Sequence, residues 1–227
     1  MANQDFNVLG NQRGKIGNVV GYVRKGKQCY RGYVAKVKQS KSEESLIAKA
    51  RFAALGRLGV AFRGAVSRGF QRPLKSSTMT AVNIFVKKNK NAVTAIGPDS
   101  IDVDFGAIVV SQGNLPWVEF GTPRFDEEAE VSVTFATDSA SLPGGSINDK
   151  VYLFVYQPDT NMGVMSLPAS RSTGSITVAV PSIWSGMKVH LYGFAMNNEE
   201  HWDEQLQGTV PEGETSPSTY VGTGTIA

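Results

Sequence analysis

The sequence predicts an α+β fold: a basic N-terminal β-hairpin and two helices, followed by an antiparallel β-sandwich of immunoglobulin/fibronectin type. Three observations carry this. Residues 14–37 alternate apolar runs with glycine and cations, residues 40–89 follow helical spacing, and residues after 98 break into short apolar segments separated by turns. The boundary is therefore expected near residue 97, with an assembly region at 1–97 and a sandwich domain at 98–227.

The hairpin reading rests on two apolar runs, Ile16–Val23 and Gln28–Val37, flanking Arg24-Lys25-Gly26-Lys27. Gly26 supplies a turn position with φ > 0. A two-stranded hairpin is marginal alone, so this one is expected to be completed by a neighbour.

The helical reading of 40–72 rests on Ile47, Ala50, Ala54, Leu58, Ala61, Phe62 and Ala65 at three-to-four spacing. Ser40 with Glu43 fits a capping box, and Ser42 is a second cap. Gly56, Gly59, Gly64 and Gly69 either allow close helix contact or split the run, and Pro73 ends it. A second helix is expected over Ser76–Asn89, capped by Ser76 or Ser77, with Met79, Val82, Phe85 and Val86 as its stripe.

Seven strands are expected in the C-terminal part: Ile101–Val110, Ala129–Thr137, Val151–Gln157, Gly163–Leu167, Ser175–Pro181, Lys188–Met196 and Tyr220–Ile226. Turn-rich stretches such as Leu142-Pro143-Gly144-Gly145 separate them, the spacing of a sandwich.

Charge is sorted by half. Residues 1–92 hold 19 of the 23 basic and 3 of the 20 acidic residues, a net +16, and residues 93–227 carry −13. Such a split bears on partners and assembly rather than on fold. The basic surface is expected at Arg24, Lys25, Lys27, Arg31, Lys36 and Lys38. The acidic surface is expected at Asp102, Asp104, Asp126, Glu127, Glu128 and Glu130. Tyr22, Tyr30 and Tyr33 interleave with the cations, a composition that suits nucleic acid as well as an acidic protein face.

Chemistry is thin by comparison. One cysteine, Cys29, excludes an internal disulfide, and with two histidines it leaves little for a zinc site. His190 sits in a strand pattern and reads as a core or face residue. His201 lies among acids in a polar stretch and reads as part of a solvated loop. No G-x-S-x-G elbow, phosphate loop or calcium loop is present, so no catalytic, cofactor or metal residue is expected. No apolar run marks a secretory leader or a membrane span, and a soluble chain is expected.

The run GKIGNVVGYVRKGKQCYR resembles the start of a family of uncharacterised small Bacteroidota and crAss-like phage proteins. That family begins with a G-K-x-G-N-V-V-G motif, here Gly14, Lys15, Gly17, Asn18, Val19, Val20 and Gly21, with Gly26 following. The C-terminal run from Val151 to Met196 is similar to its sandwich. The resemblance implies a bacteriophage virion protein, a repeating subunit of a portal-proximal tail or neck ring assembled in the bacterial host cytoplasm. Its implied partners are copies of itself and adjacent tail or portal proteins, with the motif as an assembly element. The alternative is a nucleic-acid-binding protein using its basic half, with DNA passing through the ring's channel as a joint reading.

Overall fold

The computed structural model describes residues 12–24, 27–35, 41–71, 79–97, 100–125, 129–138, 145–197, 200–203, 208–211 and 213–227. The fold is α+β, and it divides into two compact units, Met1–Ser42 and Glu43–Ala227. This boundary differs from the expected one at 97/98. The helices share a core with the C-terminal strands, so packing places them in the larger unit.

In the smaller unit the expected hairpin is a three-stranded antiparallel meander. It comprises β1 (Gly14–Ile16), β2 (Val19–Arg24) and β3 (Lys27–Gly32), in that order. Ile16 pairs with Val19, leaving a two-residue turn at Gly17-Asn18. Gly17 has φ +58°, and Asn18 is not among the residues with positive φ. Glycine with positive φ at the first central position fits a type II′ turn, whose twist matches antiparallel strands. The Gly-Asn of the motif thus has a local structural reason.

The larger unit begins with α1 (Glu43–Ala61), whose first turn holds Glu43 and Glu44 at the positive end of the helix dipole. Phe62 breaks the run with φ −83° and ψ 4°, and α2 (Arg63–Gly69) follows. Gly59 allows close helix contact. A Cβ there would lie 2.9 Å from Val82 Cγ1, on helix α3 (Ala81–Lys88). Thr80 caps α3, its hydroxyl accepting from Asn83 N at 3.3 Å, while the expected caps Ser40, Ser76 and Ser77 lie outside the described residues. Asn89 ends α3 and anchors the following chain. Its amide donates to Phe85 O (3.0 Å) and Val109 O (2.9 Å) and accepts from Val109 N (2.7 Å).

A hairpin of β4 (Val93–Gly97) and β5 (Ser100–Val103) comes next. The strand expected to run to Val110 stops at Val103. Asp104 accepts from Ala107 N at 3.2 Å and opens a short 3₁₀ turn, Phe105–Ala107. The main sheet contains β7 (Lys150–Gln157), β8 (Met162–Met165), β9 (Ala169–Ser170), β11 (Lys188–Met196) and β14 (Thr219–Thr225). Its order is β14-β11-β7-β8, with β9 also on β7. A second sheet pairs β6 (Glu130–Thr134) with β10 (Ser175–Ala179). A further hairpin pairs β12 (Glu200–Asp203), in the polar stretch around His201 expected to be a loop, with β13 (Gly208–Pro211).

Strand alternation sorts the main sheet by side-chain type. Tyr152, Phe154, Tyr156, Tyr192 and Phe194 face the helices and pack with Leu55, Phe62 and Phe85. Val151, Leu153, Val155, Val189, Leu191 and Ala195 face β6 and β10, meeting Val131, Val133, Ile176 and Val178. Two sheets therefore face one another, and helices cover the far side of the larger one. That third layer is absent from an immunoglobulin-type sandwich, which has two. Doubly covered strands explain why β7 and β11 read as nearly unbroken apolar runs.

Candidate interaction surface

The first candidate for chemistry is His190, and its surroundings give it a structural role. It is buried, its Nδ1 lies 2.9 Å from Tyr220 Oη, and its ring stacks on Phe105 at 4.1 Å. Burial, with Lys188 nearby, pushes its pKa down to about 4. Tyr192 beside it donates to Phe105 O at 2.8 Å, and burial raises its own pKa. The unfolded histidine titrates near 6.5, so stability is complete above that pH and declines as pH falls toward 4. We expect the urea unfolding free energy to drop by roughly 3 kcal/mol across that window. His190→Gln should remove this part of the slope, and an unchanged profile would exclude His190 as its source.

Elsewhere in the larger unit, no group of three or more His, Cys, Asp or Glu could hold a metal ion among the described residues. Nor is any described helix long and apolar enough to cross a membrane. His201 lies on β12, paired with Val210. Trp184 is fully buried, whereas Trp117 is exposed.

The motif residues gather on the three-stranded sheet. Its register sorts them by face, since antiparallel partners share a side. Lys15, Val20 and Arg31 form one row, Tyr22 and Cys29 the next, and Arg24 and Lys27 the third. Tyr33 joins this face, with Lys15 Nζ 3.7 Å from its ring centroid. The opposite face carries Gly14, Ile16, Val19, Gly21, Val23, Gln28, Tyr30 and Gly32, without a charge. There Gln28 Nε2 donates to Gln12 O at 2.8 Å, and Tyr30 Oη lies 3.3 Å from Gln12 Oε1.

This sheet has almost no interior. Among its described residues only Gly21 is buried. Ile16 and Tyr30 are each 51% exposed and Val19 is 40% exposed. In the larger unit, the outer side of α1 separately exposes Leu46, Phe52 and Val60, which makes that helix apolar on both sides. Cys29 is half-buried on the cationic face, its Sγ 3.7 Å from Lys27 O.

Of the expected basic surface, Arg24, Lys27 and Arg31 fall on one face together with Lys15. Lys25, Gly26, Lys36 and Lys38 lie outside the described residues. Of the expected acidic surface, Asp102, Asp104 and Glu130 are described, and they do not share one face. Asp102 and Asp104 sit with β5 on the helix side of the main sheet, whereas Glu130 begins β6 on the other side. Asp126, Glu127 and Glu128 lie outside the described residues.

Sequence reasoning missed the buried ion pair of Asp149 and Arg171. Arg171 Nε is 3.3 Å from Asp149 Oδ2, and the two side chains are 0% and 1% exposed. Arg171 Nη2 also donates to Pro116 O at 3.1 Å, and Asp149 Oδ2 accepts from Ser146 N at 3.0 Å. Burial pushes the guanidinium pKa down, and Asp149 opposes that shift. Their separation in sequence, with no shared pattern, left no signal to find.

No curated protein and no solved structure matches the chain. Residues 11–202 match the model of the "Family of unknown function (DUF6266)". That span includes the three-stranded sheet, the three helices among the described residues and most of the two facing sheets, and the chain belongs to this family.

Proposed function

We propose that the protein is a structural subunit that acts by association rather than catalysis, joining a repeating head-to-tail assembly through its N-terminal sheet. The observation that carries this is the uncharged face of β1–β3, which leaves Ile16, Val19 and Tyr30 exposed on a sheet with no core of its own. Small sheets require a covered apolar face to be stable. A second copy supplies that cover, and the opposite charge of the two halves orients the encounter at long range. Head-to-tail contacts close into rings when the rotation permits. With the resemblance of its opening motif, this favours a ring subunit of a phage tail or neck as the setting.

Sedimentation velocity across protein and salt concentration tests the reading. The wild type should form oligomers at neutral pH and low salt, and they should weaken as ionic strength rises. Ile16→Ser with Tyr30→Ser should raise the dissociation constant about tenfold or more. A wild-type chain that stays monomeric at high concentration and low salt would overturn the proposal.

A further inference from the structure

The opposite face of the same sheet carries a separate inference. We propose that Lys15, Arg24, Lys27 and Arg31, with Tyr22 between their rows and Tyr33 beside Lys15, form a binding platform for single-stranded nucleic acid.

Three observations support it. First, the sheet register places four cations on one side and none on the other, so the basic character is directional. Second, the smaller unit, residues 1–42, contains nine Lys/Arg against one acidic residue, Asp5, so it is strongly basic as a whole. Arg24 and Lys27 stand directly opposite one another across β2 and β3. Third, Tyr22 and Tyr33 are exposed on this face, one among the cation rows and the other beyond them. Successive rows along a strand are about 7 Å apart. Cations that follow a backbone, with aromatic rings on which bases stack, are the two parts of a sequence-tolerant single-strand site.

An acidic protein surface would satisfy the cations but would make no use of the tyrosine faces. A duplex would also satisfy the cations, yet its bases are already stacked on one another. The assembly contact rests on the other face and shares with this inference only the long-range charge of the basic half.

The test is fluorescence anisotropy of the full-length chain with labelled oligothymidylate, beside a duplex of equal length, over a salt series. Oligomeric mass is read in parallel. The wild type should prefer the single strand, with log affinity falling linearly in log salt. Lys15→Gln with Arg31→Gln should weaken binding about tenfold or more and lower the salt slope by about 1.4, leaving mass unchanged. Tyr22→Ala and Tyr33→Ala should each weaken binding about tenfold with little change in slope. Circular dichroism checks that each variant folds. Absence of wild-type binding at low salt would overturn the proposal, as would equal affinity of the wild type and the glutamine variant. Preference for the duplex would overturn it too, and loss of oligomers in the glutamine variant would reassign the face to an acidic protein partner.

Discussion

Replacing Asp149 with alanine is expected to destabilise the Glu43–Ala227 unit by about 3–5 kcal/mol, measured by urea unfolding at neutral pH. The deletion leaves the Arg171 guanidinium buried at 0% exposure without its carboxylate. Pro116 O still accepts from one of its nitrogens, but a carbonyl dipole does not balance a full charge. The pair itself contributes far less than its rupture costs, because both groups were taken out of water to form it. Asp149→Leu with Arg171→Met should therefore recover most of the loss. Asp149 precedes β7 and Arg171 follows β9, so the pair fixes where the short strand meets the long one. A single-variant loss below about 1 kcal/mol would show that the guanidinium finds water, and this account of the site would fail.

Phe62→Ala is expected to cost about 3–5 kcal/mol. The ring is fully buried where α1 breaks into α2. Its centroid lies 4.7 Å from Tyr156, 4.8 Å from Phe154, 5.3 Å from Tyr192 and 5.4 Å from Phe85. Two elements of the sheet and one helix thus meet on a single side chain. The form of the transition is as informative as its midpoint. If the helices and strands are one cooperative unit, helical circular dichroism and tyrosine fluorescence should shift together in the variant. Separate transitions would restore a boundary near residue 97.

That boundary was misplaced in the sequence for a physical reason. The charge break near residue 92 and the change of periodicity near 98 are compositional, and packing ignores both. What ties α1 to the strands is Leu55, Leu58 and Phe62 against an aromatic sheet face, and contact partners so distant in sequence leave no local pattern. The central strands were legible because both faces are covered, so Val151–Gln157 and Lys188–Met196 read as continuous apolar runs. The β12–β13 hairpin was hidden because Glu200–Asp203 is polar, and strand pairing there is a backbone matter. The third strand of the N-terminal sheet was missed because Gly14-Lys15-Ile16 is too short to show alternation. The two-faced character of that sheet was available in principle. Given the Gly17-Asn18 turn, period-two counting from Lys15 across three strands assigns every cation to one side. Asp102 and Glu130, expected on one acidic surface, lie on opposite sides of the main sheet, a separation that composition does not show.

The sorting of the main sheet has a consequence for synthesis. The helices leave the ribosome long before the aromatic face that covers them, since α1 ends at Ala61 whereas β11 is complete only at Met196. At about 5–20 residues per second, that interval is on the order of ten seconds. Until then Leu55, Leu58 and Phe62 can pack on β4–β5 and, later, on β7, but the aromatic face they share with β11 is incomplete.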